Sequence, residues 1–450
     1  MAPAPAPALL EPGVDVDKLS YEIFSILESK FLFGFDDHKP LPLQSSPASA
    51  SPVPPQPPAP RAPAGRVRIL SVDGGCRPSD ALLAAASLAR LESFLRDTPA
   101  RVADFFDVAA GSGAGGVLVA MLFTRGPDGR PLFAADEALR LFASWSTGSP
   151  SGSFSPPRKG PLGWVLRRKP GGLFRRVFGD ATLRDTLKPV LVPCYDLATG
   201  APFLFSRADA MEADGYDFRI WEVCAATCAS PAAAVEMSSA DGRTRIAAVG
   251  GGVSMGNPAA AAITHVLNNK QEFPFAASVD ELMVLSLGSS AAGVDSASGR
   301  RRPVPSAAEL VRIASEGVAD MVDQAIAMAF GHNRTNNYVR IQVANLFGLD
   351  NNYSARTSNA DRLICAMEER LSQRNVESLL FRGKKISDQT NAEKLEWFAS
   401  ELIKEHERRK KSLIPVIVLK QVMTPRSSTA TTTVITGTTT TSTTSTAASL

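Results

Sequence analysis

The chain has 450 residues, of which 44% are hydrophobic and 21% are charged. This composition is typical of a globular protein with a large apolar core and excludes a wholly disordered or fibrous chain. The 48 basic and 45 acidic residues leave a net charge of only +3, which argues against a nucleic-acid-binding protein, because such proteins usually carry a strong basic excess.

The N-terminal part of the chain predicts two segments that precede the folded domain. Residues 1–39 lack the basic region and the continuous apolar run of a secretory signal. Residues 40–65 are rich in Pro, Ala and Ser with almost no charge, which is typical of an extended linker. The first segment predicts an amphipathic docking helix over residues 15–35, with apolar residues at helical spacing: Leu19, Ile23, Ile26, Leu27 and Phe31.

Residues 66–421 repeat the order of strand, glycine-rich turn and helix. The first strand, Val67–Val72, is followed by such a turn and a helical pattern. The order recurs with a strand predicted at 105–110, a turn at 111–116 and a helix at 117–123. This alternation predicts an α/β fold, a doubly wound sheet with helices on both faces in a single main domain. Residues 422–450 are mostly Thr and Ser and predict a disordered tail. Further predicted elements are strands 282–287, 338–343 and 414–419 and helices 307–330 and 392–411.

The five cysteines are widely spaced and form no CxxC pair. This pattern argues against a disulfide framework and against a zinc site, and it is typical of a reducing compartment. We therefore expect a cytosolic protein without a metal or another cofactor. The cysteines are Cys76, Cys194, Cys224, Cys228 and Cys365.

The first motif lies directly after the strand Val67–Val72 and comprises Gly74, Gly75, Cys76 and Arg77. Glycine has no Cβ, so neighbouring backbone amides can converge near a helix N-terminus and bind a phosphate or an oxyanion. A tight turn that needs a positive φ explains the same two glycines equally well. Asp73, just before them, is interpreted as a carboxylate that stabilises the turn.

The second motif has the G-x-S-x-G pattern of a nucleophile elbow, with its central position changed. In this pattern a strand turns sharply into a helix and exposes the central side chain, but here the centre is Gly113. The dinucleotide spacing G-x-G-x-x-G also fits Gly111, Gly113 and Gly116. However, Asp136 and Glu137, about 20 residues downstream, fall inside a helical pattern, which disfavours a dinucleotide site. The elbow residues are Gly111, Ser112, Gly113, Ala114 and Gly115.

The third motif, Gly250-Gly251-Gly252, is followed by Asn257-Pro258. Together the three motifs resemble those of the patatin-like family, which has D-G-G-G-x-R-G for its oxyanion loop, G-x-S-x-G for its elbow, and D-G-G or D-G-A followed by N-N-P for its acid. The resemblance extends from about residue 67 to residue 287. It is closest to the plant type III patatin-related subgroup, in which glycine commonly stands at the elbow and GGG replaces DGG.

The departures from the family pattern affect both reactive positions. The resemblance implies a Ser-Asp dyad, in which the serine attacks an ester carbonyl while loop amides hold the oxyanion. These two positions fall on Gly113 and Gly250, so no catalytic side chain is assigned. In the oxyanion loop, Cys76 replaces the third glycine, and the family arginine falls on Pro78, with Arg77 displaced by one.

Two routes for residual chemistry follow from this loss. Removing the nucleophile of a serine protease costs about 10⁶ in kcat, yet roughly 10³ to 10⁴ over water persists, so slow attack by water is physically possible. Ser112 could replace the missing nucleophile, but a one-residue shift along a turn points its side chain elsewhere. We interpret Ser112 as a turn residue bonded to backbone, and His265 as a surface or core histidine without a catalytic role.

Residues 148–179 contain no acidic side chain, and their basic residues alternate with aromatic ones. This pattern favours an anionic membrane interface, while a solvated mobile loop explains it equally well. Nucleic-acid binding could use the same composition, but no recognised module supports it. The basic residues are Arg158, Lys159, Arg167, Arg168, Lys169, Arg175 and Arg176, and the aromatic ones are Phe154, Trp164, Phe174 and Phe178.

The resemblance implies a carboxylic ester hydrolase that releases fatty acids from glycerolipids such as phospholipids and galactolipids. It also implies roles in plant lipid metabolism, growth and defence. From the basic and aromatic residues of 148–179 we expect association with a membrane surface, at the periphery of the plasma membrane. Two hypotheses remain open. The chain is either a weak acyl hydrolase with a non-standard mechanism or an inactive lipid-binding or scaffold protein that binds liposomes without turnover.

Overall fold

The chain folds around a mixed β-sheet. The computed structural model describes residues 65–95, 100–148, 154, 171–230, 234–289, 307–343, 359–379, 383–412 and 414–420. The predicted N-terminal helix, the linker up to residue 64 and the Thr/Ser-rich tail lie outside the described residues.

Eight strands of the described residues form the main sheet, in the order β5-β6-β3-β2-β1-β7-β8, and β4 pairs with β3. The neighbours among β3, β2, β1, β7 and β8 are parallel, whereas β4, β6 and β5 join by antiparallel pairing. Two further strands, β9 and β10, form an antiparallel pair. The strands are β1 (Val67–Val72), β2 (Val108–Gly111), β3 (Val190–Asp196), β4 (Ala201–Ser206), β5 (Val235–Ser238), β6 (Arg245–Gly250), β7 (Leu282–Leu287), β8 (Tyr338–Ile341), β9 (Arg374–Leu379) and β10 (Gly383–Thr390).

The helices of the described residues fill the connections between these strands. They are α1 (Leu82–Phe94), α2 (Val102–Phe105), α3 (Ala114–Phe123), α4 (Ala135–Gly148), α5 (Gly172–Phe178), α6 (Arg207–Glu212), α7 (Ile220–Thr227), α8 (Gly251–Ser254), α9 (Ala259–Asn268), α10 (Ala307–Phe330), α11 (Arg334–Asn337), α12 (Ala360–Leu371) and α13 (Asn391–Lys411). Short 3₁₀ helices occupy Pro78–Ala81, Leu183–Asp185, Asp214–Tyr216, Val279–Glu281 and Gly331–Asn333.

The central strand β1 separates two layers of apolar packing. Its side chains alternate, so Val67 and Ile69 pack with α9 and the end of α10, whereas Leu70 and Val72 pack with α1, α3 and α4. Every residue of α3 is buried, as expected for a helix that is apolar on all sides. The fold is therefore α/β with helices on both faces of the sheet, as predicted.

Several predicted elements have the expected bounds, and others differ. The strands Val67–Val72 and Leu282–Leu287 and the helix Ala307–Phe330 begin and end as predicted. The strand predicted at 105–110 begins only at Val108, because Phe105 ends α2. The strand predicted at 414–419 is wrong. This segment lies along the apolar layer around Val416, with one backbone bond from Val418 to Glu272 (2.8 Å), and pairs with no strand among the described residues.

All five cysteines are free thiols. Across the described ranges, no group of His, Cys, Asp and Glu side chains is arranged to hold a metal ion. No helix in this part of the chain combines the length and the apolar character needed to cross a bilayer.

Candidate functional site

The three glycine-rich motifs meet at one end of the sheet. The parallel strands β1 and β2 end side by side, with Val72 opposite Gly111, and β6 ends at Gly250. A Cβ atom placed on Gly252 would lie 2.8 Å from the Gly74 carbonyl oxygen, and one on Gly250 would lie 3.3 Å from the Cys76 sulfur. The motifs therefore form a single site, although they are up to about 180 residues apart in sequence.

The elbow keeps the sharp turn of a nucleophile elbow without its side chain. Gly113 has φ +54° and ψ −129°, a region in which side chains are strained and glycine is not. Its amide donates to the Thr227 hydroxyl (2.8 Å), and its carbonyl accepts from Val117 in the first turn of α3 (3.2 Å). The sequence prediction of a strand-turn-helix elbow thus agrees with the backbone observed here.

We expect the Thr227 hydroxyl to stabilise this turn. Thr227→Val removes the acceptor of the buried Gly113 amide, which should lower the free energy of unfolding by about 1–3 kcal/mol. A matched control is Thr124→Val, because the buried Thr124 hydroxyl has no partner among the described residues. Urea denaturation of both variants measures the difference, and equal stabilities would contradict a role for the Thr227 hydroxyl.

Backbone carbonyls of the first motif cover the elbow. The Ala114 amide donates to the Gly75 carbonyl (2.8 Å). A Cβ atom on Gly113 would lie 2.7 Å from the Gly74 carbonyl oxygen and still closer to that of Gly75, within the distance that real Cβ atoms avoid. A serine therefore has no room at the elbow while the loop keeps this position.

Two other amides of this loop remain available. The amide after the nucleophile normally contributes to the oxyanion hole of an elbow, but here the corresponding Ala114 amide is engaged by Gly75. The Gly75 and Cys76 amides, in contrast, donate to no acceptor among the described residues. The loop thus retains two candidate donors for an oxyanion.

Ser112 connects the elbow to both other motifs. Its buried hydroxyl donates to the Gly256 carbonyl (3.0 Å) and accepts from the Gly74 amide (3.3 Å). Both partners are backbone groups, in agreement with the interpretation of Ser112 as a turn residue.

The acid position is as closed as the elbow. The Gly250 amide donates to the Ala229 carbonyl (2.9 Å), and a Cβ atom on Gly250 would lie 2.6 Å from that carbonyl oxygen. Gly251 is packed against the Pro193 carbonyl in the same manner. A carboxylate at residue 250 therefore requires the segment around Ala229 to move.

The remaining residues of the first motif do not supply reactive groups. The exposed Arg77 guanidinium pairs with Asp80 in the next turn (3.2 Å). Burial raises the pKa of the Cys76 thiol, so Cys76 is not prepared as a thiolate nucleophile.

Sequence reasoning missed the partner of Asp73. The Arg340 guanidinium on β8 lies 2.6 Å from the Asp73 carboxylate and also donates to the Ser286 hydroxyl (2.7 Å). Burial raises the pKa of Asp73 to about 6, and Arg340 acts in the opposite direction. The signal in the sequence was Arg340 itself, a charged residue within the apolar run of the strand predicted at 338–343. This signal does not identify Asp73 as its partner.

The aromatic residues of the predicted membrane segment that are described pack in or against the apolar core. Phe174 and Phe178 are buried, and the Phe154 and Phe174 rings are 5.1 Å apart. Of the basic residues, Arg175 lies over the Trp221 ring. The rings of Phe174 and Phe178 therefore stabilise the core and are not available to a membrane, and residues 155–170 lie outside the described residues.

In the described part of the chain, two surface cavities lie away from the site, and neither is lined by a residue of the three motifs. One, of about 410 Å³, is lined by Asp209, Glu212 and His265 among others. Burial lowers the pKa of His265, and its Nε2 atom has no partner in the described part of the chain. The other, of about 740 Å³, is lined by Phe105, Lys188 and His406 among others.

Comparison with known proteins places the three motifs within one matched region. The family model described as patatin-like phospholipase matches residues 74–263. The chain is 53% identical to Patatin-like protein 3 of Oryza sativa subsp. japonica over 89% of this chain and 94% of that protein. It is 48% identical to Patatin-like protein 7 of Arabidopsis thaliana (91% and 86%) and 38% identical to an Arabidopsis thaliana protein named "Probable inactive patatin-like protein 9" (87% and 93%).

Proposed function

Because the chain belongs to the patatin-like phospholipase family, we propose that it is a lipid acyl hydrolase that releases fatty acids from glycerolipids without an acyl-serine intermediate. Phospholipids and galactolipids are the proposed substrates. In this reaction the oxygen of water bonds to the ester carbonyl carbon, and the bond from that carbon to the glycerol oxygen breaks. The glycerol oxygen takes one of the two protons of the water.

The observation that supports this proposal is the pair of amides at Gly75 and Cys76. They belong to the loop that covers the elbow and donate to no acceptor among the described residues. Amide donors held in place stabilise the negative charge that develops on an ester oxygen during attack. Neither Gly113 nor Gly250 can attack the ester or accept a proton, so we expect slow turnover.

A second candidate function, glycerolipid binding without turnover, is favoured by the closed elbow. The Gly75 carbonyl occupies the space of the missing side chain, and the Ala114 amide is engaged. Under this proposal the fold presents a lipid-binding surface and performs no chemistry.

Fatty acid release from vesicles of phosphatidylcholine and galactolipid separates the two candidates. We expect the native protein to release fatty acid slowly and to remain unlabelled by a serine-directed phosphonate. Gly75→Arg should abolish release, because it alters the loop that carries both amides. Gly172→Arg is the matched control, since Gly172 has open space around it and no positive φ.

Each outcome of this experiment decides between specific alternatives. Vesicle binding without release supports the second candidate, and phosphonate labelling at Ser112 contradicts attack by water. Release that persists in a folded Gly75→Arg variant, as checked by circular dichroism, contradicts a role for this loop.

We also propose that the protein is cytosolic and associates peripherally with the plasma membrane. The scattered cysteines support the cytosolic location, since they form no disulfide framework. Fractionation should recover the protein in the soluble fraction and in a salt-releasable membrane fraction. Recovery in a secreted fraction would contradict this proposal.

A further inference from the structure

Helix α10 has an apolar exposed face over the positions whose side chains the structure describes. Every exposed position of Ala307–Phe330 whose side chain is described is apolar or glycine. Its six large side chains expose between 46% and 64% of their surface. The face comprises Leu310, Val311, Ile313, Ala314, Gly317, Val318, Met321, Ala325, Met328 and Ala329, and we call it the α10 apolar face.

Two acidic residues of the same helix, Asp320 and Asp323, make contacts on its inner side, and Glu316 is half-buried. Asp323 is buried and accepts from the Tyr338 hydroxyl (2.6 Å). Asp320 accepts from the Ser378 hydroxyl (3.0 Å) and pairs with Lys384 (3.3 Å). A surface helix normally has the opposite arrangement, with its charges in water. Because large exposed apolar patches usually mark an interaction site, this inversion indicates that the face binds a partner.

The inner side of α10 contacts the candidate functional site directly. The Ser315 hydroxyl donates to the Gly252 carbonyl (2.5 Å), and the Asn257 side-chain amide donates to the Ala319 carbonyl (3.4 Å). Since a helix with its side chains is about 10 Å across, whatever covers the α10 apolar face lies about one helix diameter from the acid motif.

We propose that the α10 apolar face is a membrane-docking surface that binds anionic glycerolipid bilayers. The proposal rests on the proposed function, because it places the glycine site beside the surface that supplies its lipid. The charge next to the helix is complementary to such a bilayer. Lys384 and Ile386 are exposed on the same face of β10, and Lys384 is joined to α10 through Asp320. Apolar side chains flanked by lysine are typical of helices that lie in an anionic interface.

Vesicle co-sedimentation tests the proposal with the full chain. Val318→Glu/Met321→Glu changes two exposed side chains and should weaken binding to phosphatidylcholine/phosphatidylglycerol vesicles by roughly 100-fold, because two apolar side chains lose their burial in the bilayer. The matched control is Leu197→Glu/Tyr216→Glu, which adds the same charges at equally exposed positions of other elements and should leave binding unchanged. Lys384→Gln should weaken binding to the anionic vesicles and leave binding to pure phosphatidylcholine vesicles unchanged.

The outcomes distinguish this proposal from the proposed function. Hydrolysis of a short-chain phosphatidylcholine below its critical micelle concentration should be equal in the native protein and in Val318→Glu/Met321→Glu, because neither change touches the glycine motifs. Absence of hydrolysis in both, with vesicle binding still lost in the variant, overturns the hydrolase proposal and supports docking. Vesicle binding that survives in Val318→Glu/Met321→Glu overturns docking. It does so equally if sedimentation velocity finds the native protein to be a dimer of this chain and the variant to be a monomer.

Discussion

Replacing Gly113 with serine is expected to lower the free energy of unfolding by about 2–4 kcal/mol, although the family elbow carries serine at this position. Two costs add. A side chain at φ +54° and ψ −129° is strained by about 1–3 kcal/mol. Its Cβ atom would also meet the Gly74 and Gly75 carbonyls, and displacing that loop breaks the bond from the Ala114 amide, which costs about a further 1 kcal/mol.

Gly179→Ser separates the two costs. Gly179 has φ +58° and ψ −130°, almost the backbone conformation of Gly113, but no atom lies within 4 Å of the position of its Cβ. This control should therefore show the conformational cost alone, about 1–3 kcal/mol. Guanidinium denaturation of both variants gives the comparison. Equal losses of stability would mean that the loop yields freely and that the elbow is open to a side chain.

Replacing Arg340 with methionine is expected to destabilise the protein by about 3–5 kcal/mol, because the buried Asp73 carboxylate then lacks its cation. Arg334→Met is the matched control. Arg334 pairs with Glu377 at the surface (3.6 Å), where an ion pair contributes about 0–1 kcal/mol. Thermal and urea denaturation of both variants measure the contrast, and a small loss at residue 340 would show that Asp73 is solvated.

The pH dependence of this variant supplies a second check. Burial already raises the pKa of Asp73 to about 6, and removing Arg340 should raise it further. A carboxyl whose pKa is higher in the folded state favours folding when protonated, so the deficit of Arg340→Met should shrink as the pH falls from about 8 to about 5. Asp73→Asn/Arg340→Met should recover part of the loss at the higher pH.

The sequence predicts correctly those strands whose formation depends on one short apolar segment. The apolar runs Val67–Val72 and Leu282–Leu287 predict buried strands, and both lie at the centre of the sheet. The run at 414–419 has a similar composition, but Ile414 and Val418 are exposed around the buried Val416. Composition alone cannot distinguish a strand that pairs with neighbours from a segment that crosses a packed layer.

The arrangement within the candidate site depended on contacts that no local pattern contains. Parallel pairing of two strands that end in glycine turns explains why the first two motifs meet. Whether an amide or a carbonyl of Gly75 faces Gly113 depends on the direction of single peptide groups, which the residue types do not determine. The Asp73–Arg340 pair joins residues 267 positions apart, and only the tertiary fold brings them together.

Because backbone carbonyls cover the elbow, a single substitution does not restore a Ser-Asp dyad at this site. Once the Gly74 and Gly75 carbonyls fill the space above Gly113, a reversion by one substitution produces a less stable protein and, without a carboxylate at residue 250, restores no dyad. A second reversion at Gly250 meets the Ala229 carbonyl in the same way. Serine chemistry at this site therefore requires changes at both Gly113 and Gly250 together with movement of the backbone segments that cover them.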